Sequence, residues 1–130
     1  MTTLEAGIVS LDAAALAAFY QRALGFETHV VLSFPQGEVH RLRRDQAELK
    51  IYQPADGARE RPARDPWFAD TGFAYAALHV DDAEVEVQRV TAAGGTVLNP
   101  VTAHRPGARF ALIADPDGNV WEILEETPDA

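Results

Sequence analysis

Cysteine is absent from the chain, so it can hold no disulfide framework, no cysteine-ligated zinc ribbon and no thiol nucleophile. Basic residues are scarce: 11 Lys and Arg stand against 20 Asp and Glu, a formal net charge of −9. That balance argues against nucleic acid or an anionic membrane as partner, because both reward basic patches. No apolar run approaches the roughly 18 residues of a membrane-spanning helix. No basic segment followed by an apolar stretch opens the sequence either, so a cytoplasmic protein is expected. Phosphate-loop, Ser/His/Asp and paired-zinc signatures are missing too. A chain of 130 residues is long enough for one domain with a real core, and a small molecule is the partner its charge suggests.

What is present is organised around the stretch 108–126. Asp115-Pro116-Asp117-Gly118 reads as a tight turn, with Pro116 presetting φ near about −65° and Gly118 tolerating a positive φ at the exit. Two strands must flank it. On the outgoing strand Trp121 and Ile123 share one face, while Val120, Glu122 and Leu124 share the other. Glu122 therefore stands between apolar neighbours, where an unpaired carboxylate is costly if covered. It needs a partner, a metal or a wet cavity.

The chain upstream supplies the rest of the pattern. Residues 4–10 read as a strand with Glu5, Gly7 and Val9 on one face. Asp12 is placed to cap a helix whose apolar stripe is Leu16, Phe19, Tyr20, Ala23 and Leu24, and Gly25 ends it. Strands are predicted at 26–34, 39–44 and 47–53. The second is polar on both sides and is expected at an edge. In the third, Leu49 and Ile51 form an apolar face and Glu48, Lys50 and Tyr52 a polar, reactive one. The cluster Arg41, Arg43 and Arg44 reads as a solvated edge or as a greeting for an anionic ligand, and His29, His40 and His104 have no partner spacing. Residues 54–72 form a connecting loop, in which Trp67 and Phe68 tuck into the domain edge, flap over a cavity or contact another subunit. Residues 73–80 are again a strand, with Tyr75, Ala77 and His79 on one face. Asp82 caps a helix with Ala83, Val87, Val90 and Ala93 inward, Gly94-Gly95 ends it, and a strand at 96–102 leads into the hairpin.

The same order thus occurs twice. Asp12 and Asp82, Gly25 and Gly95, and Glu5 and Tyr75 are each 70 positions apart, so the chain reads as an internal duplication. Module one spans 1–54 and module two 73–126, joined by a loop at 55–72, with helices at 12–24 and 82–93 and eight strands in all. One small sheet with one helix has a thin core, so the copies are expected to pack together, leave a concave surface and carry their helices on the convex side.

Ser10-Leu-Asp12 with Ala18-Phe-Tyr20 and Leu24-Gly-Phe26, His79-Val-Asp-Asp82 with Ala92-Ala-Gly-Gly95, and Asp115-Pro-Asp-Gly-Asn-Val-Trp-Glu122 together resemble the vicinal oxygen chelate superfamily. That group includes glyoxalase I, extradiol dioxygenases, fosfomycin resistance enzymes and bleomycin-binding proteins. The resemblance implies an α+β fold, two tandem βαβββ modules forming a curved mixed sheet around a central cavity, and commonly a homodimer. The family's metal enzymes bind a divalent ion through the first and last strands of each module. That pattern puts Glu5 and Tyr75 where histidine is usual, and Lys50 and Glu122 where glutamate is usual. Lys50 has no lone pair to offer at neutral pH. The expectation is therefore a small-molecule-binding protein with no metal or other cofactor, in which Glu5 and Lys50 form a buried ion pair and Glu122 is hydrogen-bonded by Tyr75 or by ligand. Its ligand-binding set is Glu5, Glu48, Lys50, Tyr52, Tyr75, His79 and Glu122, with Glu122, Tyr75 and His79 available for acid–base work. The alternative is a lyase, isomerase or dioxygenase using zinc, nickel, iron or manganese held by Glu5, His79 and Glu122, or by His79 and Glu48 after a register shift.

Overall fold

The computed structural model describes residues 1–127. The chain divides between Arg61 and Pro62 into two compact units. The first contains β1 (Glu5–Val9), α1 (Ala13–Leu24), β2 (Glu27–Phe34), β3 (Gly37–Arg44) and β4 (Ala47–Pro54), the strands ordered β1-β4-β3-β2 in one sheet. The second repeats this with β5 (Tyr75–Val80), α2 (Ala83–Ala92), β6 (Thr96–Arg105), β7 (Ala108–Ala114) and β8 (Val120–Glu126), ordered β5-β8-β7-β6. In each sheet the first strand pairs parallel to the last and the remaining pairings are antiparallel. The architecture is α+β, a tandem pair of βαβββ modules.

In the first module the Asp12 carboxylate accepts the Ala15 N–H at 3.0 Å, and Gly25 closes α1 in the left-handed conformation at φ 68°. The expected stripe is the buried one: Leu16, Phe19, Tyr20, Ala23 and Leu24 all face the sheet. Tyr20 packs edge-on between Phe19 and Phe26, with ring centroids 5.3 and 6.1 Å away. Beneath them lie Leu42, Leu49 and Ile51, all fully buried. One expectation fails here. β3 is an interior strand, flanked by β4 and β2, and β2 is the edge. Buried Leu42 and His40 face the helix side, and Arg41 and Arg43 are paired with the Glu48 carboxylate on β4, a pairing that depends on register.

The β3–β4 register sets Gly37 opposite Pro54, and a Cβ on Gly37 would collide with the Gln53 backbone carbonyl. Gly37→Ala should lower the denaturant midpoint by the equivalent of about 1 to 3 kcal/mol, since the obstacle is backbone and cannot swing aside. An unchanged midpoint would refute the close approach.

The second module is shorter in its helix. Asp82 accepts the Val85 N–H at 3.3 Å, but α2 buries Ala83, Glu86 and Val90, with Val87 and Ala93 only half-buried. The i, i+3, i+7 spacing moved the stripe by one residue and drew in a glutamate. Ala93 is the C-cap, and the glycine with left-handed geometry is Gly94 at φ 98°, so the structural counterpart of Gly25 is Gly94 rather than Gly95. β5 begins at Tyr75, two residues later than predicted, and Phe73 is fully exposed.

Candidate functional site

Each sheet has one face covered by its helix and one opposite it, and the sequence-predicted site residues fall on the faces opposite the helices. On the first sheet the register sets Glu5 beside Glu48, Gly7 beside Lys50 and Val9 beside Tyr52, with Arg43 and Arg41 next across β3. Lys50 Nζ lies 2.9 Å from Glu5 Oε2, with the two side chains 45% and 37% exposed. The expected Glu5–Lys50 pair is there, but it is not buried: both residues lie on the uncovered face. Arg43 donates to Glu48 Oε1 from Nη2 at 2.8 Å and from Nε at 3.2 Å, and Arg41 lies 3.6 Å from Glu48 Oε2. The third arginine, Arg44, donates to the Leu24 carbonyl at 2.9 Å and so serves the C-terminus of α1. The arginine cluster is therefore a set of engaged groups and not a solvated edge. Tyr52 donates its hydroxyl to the Gln36 carbonyl at 3.1 Å.

A side-chain hydrogen bond shared with Glu5 first, then hydrogen bonding from Arg43, holds the Glu48 carboxyl at about 2, well below its ordinary 4.5. A carboxylate with a depressed folded-state pKa stabilises the fold fully above its unfolded value, and that contribution is lost as pH falls. Glu48 should thus destabilise the protein progressively as pH drops from about 4.5 towards about 2. Urea unfolding followed across this window should show a shallower loss in Glu48→Gln than in the parent; equal slopes would contradict the assignment.

On the second sheet the register sets Tyr75 beside Val120, Ala77 beside Glu122 and His79 beside Leu124, with Leu112 across from Glu122 on β7. Glu122 is half-buried and, among the described residues, makes no hydrogen bond or ion pair. The expected Tyr75–Glu122 hydrogen bond does not form. The register leaves the two one strand and two residues apart, and the Tyr75 ring meets Trp67 edge-on at 5.6 Å. Trp67 is carried there by the loop, which Arg64 fastens to the start of β5 by donating to the Phe73 and Ala74 carbonyls at 3.2 and 3.4 Å. Of the three readings open for Trp67 and Phe68, packing on the domain edge is the one this contact realises for Trp67, while Phe68 stays 65% exposed. His79 is mostly exposed, its Nδ1 3.8 Å from Glu126 Oε1.

Two polar anchors, Glu125 and Gln53, and the side-chain role of Asp115 within its predicted turn escaped sequence reading. Glu125 is buried on the helix side, where it accepts the Ala83 N–H at 3.0 Å and a two-pronged pair of bonds from Arg109 at 2.9 and 2.7 Å. The Arg109 bonds first, and the Ala83 N–H second, lower the Glu125 pKa. In the first module Gln53 accepts the Ala13 N–H at 2.8 Å in the same way. The signal for this was the repeat: Gln53 and Glu125 follow Lys50 and Glu122 by three residues each. Asp115, also buried, holds the turn by accepting from the Asp117 and Asn119 backbone N–H groups and the Asn119 amide, all at 2.9 Å. His40, given no partner from sequence, lies 3.0 Å from Glu38.

Duplicated βαβββ units with charged positions on the last strand of each define a class, and comparison with known proteins names it. The family profile described as the Glyoxalase/Bleomycin resistance protein/Dioxygenase superfamily matches residues 4–123, and the chain belongs to that superfamily. A protein of Mycobacterium bovis named "Putative glyoxylase CFP32" is 30% identical over 112 residues, which is 85% of this chain and 39% of that protein. The chain thus spans well under half the length of the curated relatives it matches. Among solved structures, a glyoxalase family protein from Bacillus cereus superposes with a TM-score of 0.82 at 14% identity, covering 95% of this chain and 92% of that one. A glyoxylase/bleomycin resistance protein/dioxygenase domain from Frankia sp. EAN1pec gives 0.77 at 10% identity, covering 100% and 95%. At these identities the structures share the fold.

The donor set does not fit the divalent ion that the family's metal enzymes carry. Lys50, at the position matched to a ligand, places an ammonium against Glu5, and Glu48 is already occupied by two guanidinium groups. Among the described residues no three His, Cys, Asp or Glu side chains converge as a metal site.

Proposed function

We propose that this protein binds a small organic ligand without a resident divalent metal, on the sheet faces opposite its helices. The observation supporting this is the Lys50–Glu5 pair at 2.9 Å: a fixed cation where the family's metal enzymes place an oxygen ligand removes one donor and repels a second cation. Glu48 cannot replace that donor cheaply, because a metal would have to displace the hydrogen bonds it accepts from Arg43 and approach the Arg41 guanidinium beside it. The ligand-binding set is drawn from Glu5, Glu48, Lys50, Tyr52, Tyr75, His79 and Glu122, and of these the Glu122 carboxylate and the Tyr75 hydroxyl make no hydrogen bond or ion pair among the described residues. The protein is proposed to act in the cytoplasm as a homodimer, with no nucleic acid or membrane partner. No helix among the described residues is long and apolar enough to cross a membrane.

The test is thermal unfolding. The melting temperature should be the same before and after exhaustive chelation, zinc, nickel, iron or manganese should not raise it, and an organic ligand should raise it with chelator present. A melting temperature that falls on chelation and returns with one of those metals would overturn the proposal in favour of a metal-dependent lyase, isomerase or dioxygenase. Light scattering that reports a monomer at micromolar concentration would remove the dimer.

A further inference from the structure

Resting on the binding reading above, we infer the ligand's chemical class: the second module's helix-free face takes an organic ammonium, with Glu122 as counter-ion and Trp67 and Tyr75 as aromatic walls. The carboxylates of β8 are not equivalent. Glu125 is held by Arg109 and the Ala83 N–H. Glu126 lies 3.3 Å from Arg105 and 3.8 Å from His79. Glu122 has no such partner among the described residues, yet it is half-buried and flanked on its face by Val120, Leu124, Leu112 and Ala77. A carboxylate in such surroundings gains most from a cation that also brings apolar surface.

The second observation is independent of Glu122. Trp67 meets Phe68 at 5.2 Å and 85° and Tyr75 at 5.6 Å and 80°, so Trp67 forms a near-perpendicular corner with each of the other two rings. Aromatic faces set at angles to one another are the arrangement that receives ammonium groups, through the negative face of each ring. Tyr75 is 45% exposed and Phe68 65%, which leaves ring surface to be covered. Arg64 fixes the loop by its two carbonyl contacts, so the corner exists before ligand arrives. From Tyr75 to Glu122 is one strand spacing, about 4.8 Å, and two residues along, about 6.6 Å. A ligand with an ammonium and an aromatic or short apolar body spans that diagonal. Ala77, the residue beside Glu122 on β5, is small and leaves the carboxylate accessible. A net charge of −9 favours arrival of a cation.

The experiment is a titration with benzyltrimethylammonium and with its neutral isostere neopentylbenzene, read by calorimetry and tryptophan fluorescence at fixed salt with chelator present. Of the two tryptophans, Trp121 is buried on the helix side, so a ligand-dependent change reports Trp67. The cation should bind saturably with a fluorescence change, the isostere at least about tenfold more weakly, and Glu122→Gln should cost the cation about tenfold or more. Trp67→Leu should weaken it further, and Tyr75→Leu carries the same test if that variant does not fold. Equal binding of both probes, unaffected by Glu122→Gln, would overturn the ammonium class while leaving metal-free binding of small molecules in place. Absence of binding by either probe would overturn the site itself, and the chelation experiment decides the broader reading separately.

Discussion

Lys50→Glu should convert the first module from an ion-paired surface into one that binds a divalent cation. The substitution removes the ammonium that Glu5 now pairs with at 2.9 Å and puts a third carboxylate on a face where Glu5 and Glu48 are already neighbours across β1 and β4. Glu48 stays engaged by Arg43 and Arg41, but the new carboxylate and Glu5 are left without a cation and repel one another, and a hard cation with oxygen preference offsets that repulsion. Manganese or magnesium at about 100 times the dissociation constant should stabilise the variant by about 2.7 kcal/mol, a rise of at least about 5 °C in melting temperature. The parent should show none. Lys50→Gln, which removes the cation without adding a ligand, should gain much less, and a metal response equal to that of Lys50→Glu would show that Lys50 was not the obstacle. Lys50→Met carries the converse expectation. A fully buried pair would cost roughly 3 to 5 kcal/mol to break, but the half-exposed pair observed here should cost no more than about 1 kcal/mol.

Asp115→Ala should be the most destabilising single change near the candidate site. Its carboxylate accepts three hydrogen bonds at 2.9 Å, from Asp117 N–H, Asn119 N–H and the Asn119 amide, and it is buried. The backbone bonds Gly118 N–H to Asp115 carbonyl and Asp115 N–H to Asn119 carbonyl close the same turn. Removing the carboxylate leaves donors without a charged acceptor, at about 2 to 4 kcal/mol. Because the turn sets the β7–β8 register that pairs Leu112 with Glu122, ligand binding should fall with stability. Asp115→Asn, which keeps one acceptor oxygen, should recover part of both. Chemical denaturation with the m-value checked would measure this, and a change below about 0.5 kcal/mol would contradict the turn's role.

The fold was legible in the sequence because its determinants are local. Asp12 and Asp82 cap helices, Gly25 needs a left-handed backbone, and alternation at Trp121, Glu122 and Ile123 assigns faces, all within a few residues. The repeat extended this to topology, and the Glu5–Lys50 pair followed from the resemblance, which set both residues at ligand positions of the family. What failed depended on register or on a loop. β3 looked like an edge strand because its arginines were counted without Glu48, which reaches them only through the β3–β4 pairing. The stripe of α2 was misplaced because Glu86 reads as a solvent residue, and Ala93 reads as helix until its capping geometry is known. Trp67 could not be placed from sequence, since its contact with Tyr75 depends on Arg64 finding two backbone carbonyls. Glu125 looked like another surface glutamate, although its counterpart Gln53 sits at the matching place in the first module.

Elemental analysis of untreated protein, purified without chelator from cells supplemented with zinc, nickel, iron and manganese, tests the central claim most directly. A cation already fixed on Glu5, and arginines already fixed on Glu48, predict less than about one tenth of an equivalent of any of these metals. One equivalent of a single metal per chain, retained through gel filtration and lost together with activity or ligand binding on chelation, would contradict the account.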